Sequence, residues 1–217
     1  MRIACVGYRD WALRIYDELV KSSDHVFLIF RKKTQFNEEV FKDFKPDLAL
    51  FYGWSWYVPE NLLNNYKCLM LHPSPLPKYR GGSPIQNQII VGEKKSKVSI
   101  FVMNKEMDAG DIVGQEDLSL EGKLDDIFER MTQSGIRITL NILENGLHPI
   151  QQDSSKATIF KRRKPEESEI SIEEIKTASA EYLHNKVRML ADPYPNAFIR
   201  TADGKKLMIK ESEIKEF

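Results

Sequence analysis

Two stretches of the 217-residue sequence hold side chains whose types and spacing could do chemistry. The first is His72-Pro73-Ser74-Pro75-Leu76-Pro77-Lys78-Tyr79-Arg80-Gly81-Gly82. Its prolines fix φ angles and remove N–H donors, while its glycines allow backbone conformations that other residues avoid. Such a segment is stiff where it holds His72 and permissive where it turns. An imidazole held in this way can take up and return a proton near neutral pH. The second stretch is Met107-Asp108-Ala109-Gly110-Asp111-Ile112. A carboxylate brought beside an imidazole fixes its tautomer and orientation. Each stretch has a plainer explanation when taken alone. Histidines are common structural residues, and Asp and Gly are common turn formers. Together the two stretches point to a His72–Asp108 pair that moves a proton.

The elements that must position this pair follow from the hydrophobic pattern. Residues 2–6, 25–30, 47–52 and 67–71 are short apolar runs. Helical spacing lies between them at 11–21, at 36–44 and from Pro59 through Leu63. Near-continuous apolar strands separated by helices predict an α/β fold, with a mainly parallel sheet covered on both faces. His72 follows the fourth strand directly, at the edge where open α/β sheets place their sites. Ser83-Pro84 predicts the start of a helix through Val91. Strands at 97–103 and 112–118 flank the loop that carries Asp108, and 123–144 reads as the longest helix. A polar, highly charged stretch at 151–174 then separates a domain of residues 1–155 from a small C-terminal α+β appendage, 156–217. The appendage has a helix from about 173 to 190, a turn at Pro193-Tyr194-Pro195 and strands at 197–201 and 206–210.

Composition removes several classes of function. Lys and Arg number 32, as do Asp and Glu, so no general basic field attracts nucleic acid or an anionic membrane. No apolar run approaches the length of a membrane span. The stretch Met1-Arg2-Ile3-Ala4-Cys5-Val6-Gly7 turns polar too quickly for a secretory signal, and a cytoplasmic protein is expected. The cysteines, Cys5 and Cys68, sit in apolar runs and read as buried reduced thiols, with no disulfide and no metal site. After the first strand comes Gly7-Tyr8-Arg9-Asp10-Trp11, with one glycine where a dinucleotide fingerprint needs several. NAD and ATP are therefore not expected. His25, His148 and His184 have no chemical context comparable to that of His72.

The His-Pro-Ser-x-Leu-Pro-x-Tyr-Arg-Gly segment, followed by Ser83-Pro84-Ile85-Gln86 and by Met107-Asp108-Ala109-Gly110-Asp111-Ile112, resembles the formyltetrahydrofolate-dependent formyltransferases. The likeness is dense over about residues 47–116 and continuous elsewhere. It implies a Rossmann-like formyltransferase fold, N10-formyltetrahydrofolate as co-substrate, and attack of a neutral amine on the formyl carbon. It also implies a catalytic Asn, His and Asp. His72 and Asp108 match the last two, but Met70 stands at the asparagine position. The asparagine donates to the oxyanion of the tetrahedral intermediate, and methionine has no donor. One such donor is typically worth about 3–4 kcal/mol. Asn104, Gln86 or a backbone N–H could replace it, His72 could act as the main donor, or catalysis could be lost. An active enzyme is expected, because His72, Asp108 and the Pro/Gly frame remain. The resemblance further implies that the loop Asn104, Lys105, Glu106 and Met107 reads the pteridine through its backbone. Trp54 of Trp54-Ser55-Trp56-Tyr57 could flank the pteridine or a base, or simply pack its own loop.

The branch within the family rests on the tail. Phe160-Lys161-Arg162-Arg163-Lys164-Pro165-Glu166-Glu167-Ser168-Glu169-Ile170 is similar to a segment of the sugar N-formyltransferases. Arg188-x-Leu-x-Asp-Pro-Tyr-Pro-x-Ala-Phe resembles an element shared more widely. The further C-terminal barrel and basic surfaces of the methionyl-tRNA enzyme are not expected. The acceptor implied is the amine of a nucleotide-linked (UDP or dTDP) amino sugar, and methionyl-tRNA is the alternative. Lys78, Arg80, Arg9 and Arg188 are the candidates to hold its diphosphate, and the resemblance implies a homodimer. A hydrolase that uses water in place of the amine and a folate- or nucleotide-sugar-binding module are the rival classes.

Overall fold

The four apolar runs become β1 (Arg2–Val6), β2 (Val26–Phe30), β3 (Leu48–Leu50) and β4 (Cys68–His72), paired in parallel in the order β2-β1-β3-β4. These come from a computed structural model that describes residues 1–192 and 194–216. Pro193 of the expected turn lies outside the described residues. A two-residue strand, β5 (Arg80–Gly81), stands apart from the main sheet. β6 (Lys95–Val102) and β7 (Ile112–Ser119) complete the sheet as an antiparallel hairpin beside β4. The sheet is therefore mixed, with its parallel part as expected.

Period-two alternation divides the sheet's side chains between two cores. On one face Ile3, Cys5, Leu50, Leu69, Leu71 and Ile100 pack under α1 (Asp10–Lys21) and α5 (Leu124–Asn145). On the other, Ala4, Val6, Phe51 and Cys68 pack with Phe41 of α2 (Glu38–Phe44) and Leu62 of α3 (Glu60–Asn65). The same alternation puts Met70 and His72 of β4 on this second face. Tyr16 of α1 braces the carboxyl ends of the strands: its hydroxyl accepts from the Tyr52 N–H at 2.8 Å and lies 2.9 Å from the Leu50 carbonyl. Both cysteines are buried and free, and burial pushes the Cys68 thiol up to about 12.

After α4 (Pro84–Ile90) and the hairpin, the chain adds β8 (Ile159–Phe160), α6 (Ile172–Thr177), α7 (Ala180–Arg188), β9 (Ala197–Arg200) and β10 (Lys206–Ile209). The single helix expected at 173–190 is two helices. Ala178 is extended at φ −86° and ψ 152°, and the Ser179 side chain accepts from the Tyr182 N–H to start a new helix. Val187, Met189, Leu190 and Ala197 join the first core. β8 returns to pair in parallel with β5, so the tail is bonded to the His72 segment. Among the described residues no helix is long and apolar enough to cross a membrane.

Candidate active site

His72 is the last residue of β4 and is 5% exposed. Its Nε2 lies 2.8 Å from the Tyr79 carbonyl oxygen. A carbonyl only accepts, so Nε2 carries the proton and donates. That leaves Nδ1 to face Asp108, whose Oδ2 is 3.6 Å away. This gap is longer than a hydrogen bond. In the neutral ring, Nδ1 thus presents a lone pair toward the carboxylate, and protonation there creates an ion pair. The same Oδ2 accepts the Gly81 N–H at 2.7 Å. One carboxylate oxygen therefore joins the two stretches singled out in the sequence.

Asp108 reaches this position by a reversal of the chain. Val102 at the end of β6 pairs with Leu69, and the Met103 N–H donates to the Cys68 carbonyl. From Leu69 to His72 is a span of roughly 10 Å at strand spacing. The loop after β6 doubles back along β4 to cover it. Gly110 makes the reversal tight, because a Cβ there would lie 1.6 Å from the Val102 carbonyl oxygen. Asp108 itself has a φ of 51°. Tyr79 and Ser83, on the facing segment, also have positive φ, at 59° and 51°. Each such residue stores roughly 1–3 kcal/mol of strain, which collects where a surrounding structure imposes a geometry.

Buried and half-buried polar side chains hold the Pro-rich segment by its carbonyls. Ser99 Oγ donates to the Ser74 carbonyl, Gln88 Nε2 to that of Pro73, and Gln115 Nε2 to that of Leu76. Gln152, 6% exposed, bonds to both halves of the site. Sequence reasoning missed these residues. They are uncharged, distant in sequence and outside any motif, so only the fold brings them to His72.

The other expected site residues fall into distinct places. Met70 is half-buried, against the second core, and brings no donor. Asn104 Oδ1 accepts the Glu106 N–H, and Lys105, Glu106 and Met107 are exposed along the loop that leads to Asp108. Trp54 is 9% exposed and packed among Phe36, Tyr8 and Trp56, so its ring fills the core; Trp56 is the more exposed, at 36%. Lys78 is exposed, with no ion pair among the described residues. Arg80 is buried and its Nε and Nη2 donate to Gln152 Oε1. The Arg9 guanidinium lies over the rings of Tyr8 and Tyr194. Arg188 gives Nη1 to the carbonyls of Leu120 and Gly122 and Nε to Asn185, and burial lowers its pKa. It lines a cavity of about 970 Å³ with Glu121, Lys123, Asp126, Glu181 and Lys210, away from the His72–Asp108 pair. His25, His148 and His184 make only peripheral polar contacts.

Lys161, Arg162 and Lys164 are exposed and form no ion pair among the described residues. Their backbone is fixed to the site: the Gly82 N–H donates to the Phe160 carbonyl, and the Arg163 N–H to Ser83 Oγ. At Gly82 a Cβ would lie 2.3 Å from the Arg162 Cα, so the two segments touch main chain to main chain. The basic run thus forms a rim beside the Gly81–Gly82 turn.

The chain is similar to methionyl-tRNA formyltransferases. That of Ligilactobacillus salivarius is 33% identical over 172 residues, which are 76% of this chain and 52% of that protein. This chain thus spans about half the length of that curated relative. The solved methionyl-tRNA formyltransferase from Clostridium thermocellum superposes with a TM-score of 0.85 at 31% identity, covering 96% of this chain and 97% of that one. HypX from Aquifex aeolicus, solved in complex with tetrahydrofolic acid, matches 96% of this chain and 37% of its own, at a TM-score of 0.82 and 23% identity. A 4-N formyltransferase from Francisella tularensis shares the fold at a TM-score of 0.78 and 20% identity, over 100% of this chain and 98% of its own. The formyl transferase model itself matches residues 10–143, which contain both His72 and Asp108. The chain belongs to the formyl transferase family.

Proposed function

We propose that this chain transfers a formyl group from N10-formyltetrahydrofolate to a primary amine. The observation that carries the proposal is the ring of His72, held by Tyr79 with Nδ1 turned toward Asp108. The amine nitrogen bonds to the formyl carbon, and the bond from that carbon to N10 then breaks. One proton must leave the amine and one must reach N10. His72 Nδ1 can take the first and return the second, while the Asp108 carboxylate stabilises the intervening imidazolium. Burial of the pair keeps that interaction strong. The neutral amine must reach the formyl carbon within this frame, and the fixed backbone supplies its orientation. Family membership supports the formyl donor, and HypX, solved with tetrahydrofolic acid, shares the fold.

For the acceptor, similarity favours the aminoacyl end of methionyl-tRNA over the nucleotide-linked amino sugar expected from the tail. Methionyl-tRNA formyltransferases reach 31–33% identity with this chain, whereas the 20% identity of the Francisella tularensis enzyme bears on the fold alone. The basic rim of Lys161, Arg162 and Lys164 suits a phosphate-bearing acceptor. The amino-sugar reading keeps one specific support, the similarity of residues 160–170 to sugar N-formyltransferases. Single-turnover assays with N10-formyltetrahydrofolate and each acceptor test the proposal. Formylmethionyl-tRNA is the expected product. Folate binding with no transfer to either amine would sink the reading, and release of formate without an amine would point to a hydrolase.

A further inference from the structure

Gln152 connects the two halves of the candidate site, yet no charge or motif marks it in the sequence. It is 6% exposed. Its Oε1 accepts from Arg80 Nε at 3.1 Å and from Nη2 at 2.7 Å. Its Nε2 donates to the Asp108 carbonyl at 2.9 Å and to the Gly110 carbonyl at 2.6 Å. Every strong bond that this amide makes therefore ends on a segment that also carries a site group. Arg80 immediately precedes Gly81, whose N–H donates to Asp108 Oδ2. Asp108 and Gly110 bound the reversal that carries the carboxylate back to His72.

Arg80 is buried at 5% exposure, and its partner here is a neutral amide rather than a carboxylate. A bond from a cation to the amide oxygen polarises the amide and strengthens donation from its nitrogen. The recipients are the carbonyls of a turn that needs holding, since Asp108 has a φ of 51°. A residue in that conformation relaxes unless its surroundings prevent it.

We propose that Gln152 is a positioning residue: polarised by Arg80, it clamps the Asp108–Gly110 turn so that Asp108 Oδ2 sits between the Gly81 N–H and His72 Nδ1. Its importance for catalysis rests on the formyl-transfer reading; its effect on Asp108 does not.

Two variants at Gln152 separate these effects. Gln152→Glu keeps an acceptor for Arg80 and removes both donations to the turn. Gln152→Met, of similar length, removes all of the bonds and serves as the second variant should the first fold poorly. The Gly81 amide proton reports on Asp108 directly and is read by NMR without substrate, with Asp108→Ala as the reference for its loss. In Gln152→Glu the Gly81 resonance is expected to move at least half as far as in Asp108→Ala. Turnover is expected to fall tenfold or more, with the KM for N10-formyltetrahydrofolate within twofold of wild type. An unmoved Gly81 resonance, even with a lowered Tm, overturns the proposal and leaves Gln152 a packing residue. If the wild-type chain formylates no amine, the functional reading fails, and the Gly81 resonance still decides what Gln152 does.

Discussion

At the scale of the residue, the proposed site sets a His72–Asp108 pair beside Met70, which stands where the resemblance expects an asparagine donor. His72 is fixed by donation to the Tyr79 carbonyl, and Asp108 by the Gly81 N–H, so neither depends on a substrate to be placed. Met70 shares the face of β4 that carries His72, two residues before it, and cannot donate. Met70→Asn should therefore raise the single-turnover rate by about 100-fold, the lower range for one oxyanion donor. An unchanged rate would mean that another group already fills the role. Asn104 is the candidate for that group, since its Oδ1 accepts the Glu106 N–H while its Nδ2 has no partner among the described residues. Asp108→Asn is the complementary change. Asparagine tolerates the same positive φ and can still accept from Gly81, so the fold should persist. The carboxylate charge opposite Nδ1 is lost, and kcat should fall by roughly 10²–10⁴, the usual range for one acid–base group. A loss below threefold would remove Asp108 from the proton path.

At the scale of the element, the Asp108 turn and the α6–α7 pair make separate predictions. Gly110→Ala would drive a Cβ into the Val102 carbonyl, backbone against backbone, with no side chain free to yield. It should cost about 1–3 kcal/mol of stability as an overpacked site and abolish transfer by displacing Asp108; a variant with wild-type Tm and rate would show that the turn is not fixed. In the tail, Lys186 of α7 is nearly buried and donates to Glu174 of α6. Burial pushes the Glu174 pKa up, but the Lys186 ammonium and the Ser171 backbone outweigh it, so the net shift is downward. A carboxyl lowered in the folded state stabilises fully above its unfolded pKa, about 4.3, and that contribution is lost as pH falls through the folded value. Tm followed from pH 6 to 3 should therefore fall below about pH 4.3, and Glu174→Gln should flatten part of that fall. These elements also show what the sequence could tell. The strands and α1 were legible because apolar residues recur at the right period, as in Leu13, Tyr16, Leu19 and Val20, although the face that α1 buries is Ala12, Ile15, Tyr16 and Leu19. The break at Ala178–Ser179 was not, because a serine cap inside a helical pattern competes locally with helix continuation. His72 and Asp108 were legible as motif residues. Gln88, Ser99, Gln115 and Gln152 were not, since their role depends on long-range contact rather than on local chemistry.

At the scale of the whole molecule, the charge that matters is local. Net charge is zero, so the chain as a whole offers no field to an anionic acceptor. The exposed cations Lys78, Lys161, Arg162 and Lys164 nevertheless gather on the two segments joined by the β5–β8 pairing, beside the Gly81–Gly82 turn. Composition averaged over 217 residues hides this arrangement, because the pairing joins residues nearly eighty positions apart. A phosphate-bearing acceptor would displace counterions as it settles on this rim. Binding then weakens with salt, with a logarithmic slope of about 0.7–0.9 for each phosphate neutralised. With methionyl-tRNA as acceptor, several phosphates can lie along the rim, and kcat/KM plotted against salt should fall with a slope of roughly −2 to −3 on logarithmic axes. A nucleotide diphosphate sugar carries only its own phosphates and should give a shallower slope. Arg162→Ala and Lys164→Ala should each weaken the tRNA slope by about one, leaving the salt dependence of folate binding unchanged. If both variants keep the wild-type slope with methionyl-tRNA, the rim is a solvated linker and the acceptor's phosphates are held elsewhere.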